Sequence, residues 1–260
     1  MDDSDRVAPS KVPAVTLGFW IIKVLATTLG ETGGDTVSMT MDLGYLVGTA
    51  IFLAPLILLG AAQIRARKFH PFLYWATIIA STTAGTTMAD FADRSLGIGY
   101  AGGSLTLLAL VLASLGLWRT TLGAISSDDI HTPRAELFYW ITITFSQTLG
   151  TALGDWAADD GGLGYLGGAI VFGGALAVIG LLYFTTRINR IALFWIAFIL
   201  TRPLGATVGD FLDKPLGHGG LDLSRPLASL VLAAAIAILI LILPQRSGRY
   251  SAGAIAGDTA

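Results

Sequence analysis

The chain has 260 residues, of which 53% are hydrophobic and only 13% charged. A soluble domain carries about 25% charged residues because its surface must be solvated, so this composition excludes an ordinary water-soluble globule and points to lipid as the solvent. The net charge of -2 gives no basic surface for nucleic acid, and the lack of cysteine removes disulfides and thiolate metal sites.

Residues 1–14 are polar, without the apolar stretch of a cleaved leader, and are expected to form an N-terminal tail. Eight apolar runs follow, at 15–29, 45–62, 72–88, 105–118, 139–153, 165–184, 191–200 and 227–243. A helix needs roughly 20 residues to cross a ~30 Å hydrocarbon core. Several runs reach that length by including small and polar residues at their ends. The expected fold is all-α, with eight transmembrane helices. A first membrane half covers 15–120, a polar linker containing Pro133 covers 121–136, and a second half covers 137–244. The tail at 245–260, rich in Gly, Ala and Ser, is expected to be disordered.

The runs recur as pairs. Trp20, Trp75, Trp140 and Trp195 head four units, with glycines ten residues on at Gly30, Gly85, Gly150 and Gly205. Aspartates stand fifteen residues on, at Asp35, Asp90, Asp155 and Asp210, each preceded by a small residue. Further glycines stand twenty-four residues on, at Gly44, Gly99, Gly164 and Gly219. Each unit is a helix, a short Gly/Asp loop and a second helix. The pattern, over roughly 19–243, resembles a bacterial family of membrane proteins built from four tandem repeats of unknown function, each with two transmembrane segments and a characteristic tryptophan. The resemblance implies the architecture and carries no activity.

Orientation follows the distribution of Lys and Arg. Eleven lie in the termini and the loops between repeats, against three (Arg94, Lys214, Arg225) in the loops within repeats. Both termini are therefore expected in the cytoplasm of a bacterial cell, in a multi-pass inner-membrane protein. All four helix pairs then enter from one side as parallel repeats. They would form either a pseudo-fourfold ring or two four-helix halves, the longer central linker leaning to the halves. Thr27, Gly30 and Gly34 share one helix face, as do their counterparts, which suits close helix packing in lipid. The tryptophans, near the cytoplasmic ends of the odd helices, read as an interfacial aromatic belt. Odd helices carry the polar residues and are expected inside, with even helices facing lipid.

Candidate chemistry sits on the odd helices. The four aspartates stand about 22 Å along the helix from the tryptophans, at helix C-termini, where the dipole opposes a carboxylate. Loop capping and ordinary solvated charge compete with a functional ring there. Glu31 lies deeper and has no acidic counterpart in the other repeats (Thr86, Thr151, Ala206). An ionisable group at that depth faces a partner or cavity. Glu31 and Asp35 share one face with Thr28 a turn earlier, a set of oxygens suited to a hard cation, and are the candidate metal ligands. Arg202, at the offset of Gln147, must find a carboxylate, and Glu31 is the expected partner, with Asp35 second. Lys23 is expected to snorkel to the cytoplasmic interface. The segment 31–36 is also similar to the Glu-x-Gly-Asp-Lys/Arg-Ser/Thr signature of a family of manganese and calcium exchangers, with one glycine inserted and the basic residue missing.

No catalytic constellation or cofactor motif occurs, so neither an enzyme nor a cofactor is expected. The leading reading is a transporter of a small, divalent cation, coupled to protons, with lipid as its surroundings. Glu31, Asp35 and Thr28 would be central ligands, Asp90, Asp155 and Asp210 further ligands, and Arg202 and Gln147 the charge-balancing and polar groups. The alternatives are a cation channel with a ring of four aspartates and a non-transporting protein that binds lipid or scaffolds partners.

Overall fold

A computed structural model describes residues 11–123, 125 and 132–248. Among them are eight α-helices: α1 (Leu17–Asp35), α2 (Gly44–Arg65), α3 (Pro71–Asp90), α4 (Gly99–Leu122), α5 (Pro133–Asp155), α6 (Gly164–Thr185), α7 (Arg190–Asp213) and α8 (Arg225–Ile242). After the aspartate that ends α1, α3 and α5, the chain makes one π-helical turn, at Thr36–Thr40, Phe91–Ser95 and Trp156–Asp160. In the fourth unit α7 runs past its aspartate to Asp213, and a short 3-10 turn at Leu216–His218 replaces the π-turn. The recurring glycine nine residues after each aspartate has one cause. Gly44, Gly99, Gly164 and Gly219 all take left-handed backbone, at φ +74°, +74°, +66° and +82°, a region that costs an L side chain dearly.

The odd helices close a ring in which α1 packs on α3, α3 on α5, α5 on α7 and α7 on α1. Of the two arrangements open to four parallel pairs, the packing is the ring, and the longer central linker does not separate two bundles. Each even helix covers the odd helix of the following unit: α2 lies on α3, α4 on α5, α6 on α7, and α8 returns to α1. More than half of the α7 span is buried (56%), against 6% of α6. The inner and outer layers are thus those expected from where the polar residues fall. By length and composition α2, α4, α6, α7 and α8 can cross a membrane. The inner helices α1, α3 and α5 are less apolar because neighbouring helices, not lipid, surround them.

Small residues set the ring's diameter. The glycine ten residues after each tryptophan receives a side chain from the next unit: Gly30 meets Thr82, Gly85 meets Gln147, Gly150 meets Arg202 and Gly205 meets Thr27. One turn further, Gly34 meets Thr86, Gly154 meets Ala206 and Gly209 meets Glu31. A Cβ at Gly150 or Gly205 would overlap the incoming side chain, so the helix backbones approach as small-residue interfaces in lipid allow.

The tryptophans do not form a lipid-facing belt. Trp75, Trp140 and Trp195 are buried, and the aromatic residue before each tryptophan packs on the tryptophan of the next unit. Phe19 lies 5.4 Å from Trp75, Tyr74 5.8 Å from Trp140, Tyr139 6.2 Å from Trp195 and Phe194 5.8 Å from Trp20. The result is an aromatic layer across one end of the ring, with a Tyr74–Tyr139 hydroxyl contact of 2.9 Å. An aromatic ring gains more from edge-to-face partners and burial than from an interfacial seat when neighbours of the right shape stand beside it.

The terminal segments lie over this aromatic end. Pro13 pairs with Ser247, Trp75 Nε1 donates to Gln245, and Lys11 reaches Glu136 at 2.5 Å. Residues 11–14 of the expected N-terminal tail and 245–248 of the expected disordered tail are therefore docked. Residues 1–10 and 249–260 lie outside the described residues, as do 124 and 126–131 of the expected linker, whose last four residues, 133–136, begin α5.

Candidate functional site

Counting from each tryptophan places the polar side chains in layers down the ring axis. Three residues on stand Lys23, Ile78, Ile143 and Phe198, all fully buried. Seven on stand Thr27, Thr82, Gln147 and Arg202, also at 0% exposure. Eleven on stand Glu31, Thr86, Thr151 and Ala206, and fifteen on the four aspartates, each no more than 2% exposed.

Arg202 is the centre of this stack. Its Nη2 lies 3.0 Å from Glu31 Oε2, 2.6 Å from Thr86 Oγ1 and 2.5 Å from Thr151 Oγ1. One side chain from the fourth unit therefore touches the equivalent position in each of the other three. The fourth equivalent, Ala206, is on its own helix. The expected Arg202–Glu31 pair is present, and Asp35, the second choice, pairs elsewhere.

Lys23 does not snorkel. It points across the ring, with Nζ 3.5 Å from Gln147 Oε1 and 4.2 Å from the centre of the Phe198 ring. Gln147 thus bonds Lys23 in the neighbouring layer and not the acids. Thr28 also stands apart, because its hydroxyl donates to the Val24 carbonyl at 3.0 Å, a local bond common for threonine within helices.

The four aspartates form a ring that two cations divide into pairs. Lys214 Nζ lies 2.6 Å from Asp35 Oδ2 and 2.9 Å from Asp210 Oδ1. Arg94 lies 3.0 Å from Asp90 and 3.2 Å from Asp155. Arg225, at the start of α8, adds 3.8 Å and 3.4 Å contacts to Asp35 and Asp213. Burial disfavours the charge on Lys214, but Asp210, Asp35 and Asp213 outweigh it and hold the amine well above its usual range. Sequence reasoning missed both bridging cations. The available signal was their shared offset: each stands four residues after its aspartate, in the second and fourth units only.

Oxygens of Glu31, Asp35 and Asp210 lie within 4.8 Å of one another. That separation is about twice the 2.3–2.6 Å oxygen distance around Ca2+, so one hard cation fits between them. Outside the ring is an open cavity of about 230 Å3 lined by Met39, Arg94, Asp159 and Lys214, one equivalent residue from each unit, with Tyr165 and Arg225. It is a vestibule at the end of the ring, and its wall includes Arg94 and Lys214, the two cations that bridge the acids.

Asp93 sits beside this region in the π-turn after α3, wedged against Gly103, where a Cβ would overlap its carboxylate. Neither of its oxygens has a hydrogen-bond partner, and burial pushes the carboxyl up to about 6 against the opposing effect of Arg94. An unfolded aspartate titrates near ~3.9, so the folded chain holds a proton that the unfolded chain releases between those values. The Asp93 contribution to stability is therefore full below pH ~3.9 and is lost as pH rises through about 6. Asp93→Asn should raise the melting temperature at pH 7.5 and flatten its dependence across that window. An unchanged pH profile would show that Asp93 is not the titrating group.

The chain matches the Repeat of Unknown Function (DUF347) family four times, at residues 18–69, 73–128, 138–189 and 193–248. These windows coincide with the four units of the ring. No curated protein and no solved structure matches it.

Proposed function

The chain belongs to the DUF347 family of four-repeat proteins, and from that premise we propose that it is a transporter of a small divalent cation, coupled to protons. It spans a bacterial inner membrane with all eight helices, both termini in the cytoplasm. The observation that carries the reading is the convergence of Glu31, Asp35 and Asp210 on the ring axis, beneath an open vestibule and above the buried Arg202.

The orientation has support beyond the count of basic residues. The three cations of the loops within repeats are all committed to aspartates: Arg94, Lys214 and Arg225 each bond the acid ring or Asp213. None remains as a free loop charge, so the basic excess on the other face is the full topological signal.

A transporter explains the polar axis better than a scaffold does. Buried polar groups in a purely structural core are normally satisfied. Here Arg202 Nε and Nη1, Gln147 Nε2, Asp35 Oδ1 and Asp90 Oδ2 are buried without hydrogen-bond partners. A network left incomplete in one state suits side chains that change partners between states. The channel reading draws on the four aspartates at one level around a pseudo-fourfold axis. Against it, Arg202 occupies the axis and the aromatic layer closes the far end, so passage requires rearrangement.

The test is flux through the purified full chain in proteoliposomes, loaded with a manganese-sensitive dye under an imposed pH gradient. Mn2+ entry should depend on the gradient and fall by about tenfold or more in Glu31→Gln and Asp35→Asn, as expected when a first-contact charge is removed. No divalent flux under any gradient would end the transport reading, and flux indifferent to pH would remove proton coupling.

A further inference from the structure

The two cations that bridge the aspartate ring are not equivalent. Arg94 holds Asp90 and Asp155 with a guanidinium, which stays charged at any pH a protein meets and binds in a planar fork. Lys214 holds Asp35 and Asp210 with a compact ammonium, a point charge without directional demand. It sits between two of the three carboxylates that can share a cation. The Asp90–Asp155 pair has no such third acid among the described residues. Both border the vestibule, but the backbone differs: Arg94 lies inside a π-helical turn, whereas Lys214 follows the end of α7. Asp35 Oδ1 is buried and keeps no hydrogen-bond partner even with Lys214 in place.

We propose that Lys214 is a tethered stand-in for the transported ion: a divalent cation arriving through the vestibule displaces its ammonium from between Asp35 and Asp210 and is completed by Glu31. Arg94 keeps the other half of the ring permanently paired. The displaced amine turns into the vestibule, whose wall includes Asp159. Each event then replaces the single charge of the ammonium by the two of the ion at the carboxylates, and the acids are never left bare. Displacement by a cation is the releasing step, because the ammonium lies between two of the carboxylates that an incoming ion would bind. The inference rests on the transport reading and adds the residue with which the ion competes.

The experiment measures Mn2+ and Ca2+ binding to the full chain in detergent by calorimetry, with melting temperature read alongside. Lys214→Met should bind Mn2+ about tenfold more tightly than the unaltered chain, and its lowered melting temperature should be restored by the ion. Lys214→Arg, which keeps the charge but forks it between the acids, should bind about tenfold more weakly. Arg94→Met should lose stability that Mn2+ does not restore. If Lys214→Met binds no more tightly while Asp35→Asn abolishes binding to the unaltered chain, the stand-in fails and the transport site stands. If tightened binding in Lys214→Met survives Asp35→Asn, the proposed place of exchange is wrong. If neither the unaltered chain nor Lys214→Met binds either ion, both readings fall. Should Lys214→Met not fold, Lys214→Arg decides, and binding equal to that of the unaltered chain overturns the inference.

Discussion

Replacing Arg202 by glutamine is expected to cost about 3–5 kcal/mol of stability, the range for removing one partner of a buried ion pair. The guanidinium is fully buried and touches the other three units through Glu31, Thr86 and Thr151. Its removal strands the Glu31 carboxylate at membrane depth and takes a donor from two threonines. The Arg202 stem also fills the space above Gly150, so glutamine leaves a gap as well as a charge. The double change Glu31→Gln with Arg202→Gln removes the stranded charge and should recover most of the loss, while abolishing transport. Melting of the purified single and double variants in detergent provides the check. A double variant no more stable than Arg202→Gln alone would show that the ion pair is not what holds this layer.

Trp75→Ala carries the second large effect, about 3–5 kcal/mol for deleting a large buried aromatic side chain. Trp75 is 1% exposed, packs on Phe19 and Tyr74, and donates to Gln245 in the docked C-terminal segment. Its loss opens the aromatic layer and frees that segment together. Trp20, at the equivalent position but partly exposed, should cost clearly less when changed to alanine. An interfacial belt predicts no such ranking, with both changes mild and similar. Proteoliposomes bearing Trp75→Ala should also leak cations down their gradient, since the layer closes the end of the axis away from the vestibule. Tight vesicles with a well-folded variant would place the barrier elsewhere, at Arg202 or Lys23.

The repeat was legible because symmetry multiplies every signal by four. A single glycine is ambiguous, but Gly30, Gly85, Gly150 and Gly205 at one offset announce a shared packing contact. The Arg202–Glu31 pair was legible because depth can be counted within helices, and few buried partners exist for a guanidinium. Lys23 and the tryptophans were misplaced for a related reason. Depth gives height, not azimuth, and a residue near a helix end reads alike whether it faces headgroups or the next helix. Lys214 and Arg94 were missed because they lie beyond the α-helical ends, in a coil and a π-turn, where residue counting no longer predicts direction. Thr28 was grouped with the acids because it shares their helix face, and Gln147 was included as the polar residue at the repeat offset of Arg202. In the structure, a local carbonyl takes the first and a lysine across the ring takes the second.

The covering of each odd helix by the even helix of the following unit has a consequence for the order in which the protein is made. The helices α3, α5 and α7 receive their outer cover from a segment already synthesised. Only α1 waits for a segment made last, α8, and for α7 just before it. It is also the helix with Glu31 and Asp35, whose charged partners Arg202 and Lys214 lie 171 and 179 residues downstream. At roughly 5–20 residues per second of translation, this helix therefore spends about ten seconds or more beside the ribosome without its counter-charges. During that interval α3 is the inner neighbour available to it; the ring closes when α7 docks on α1, and α8 then covers the seam.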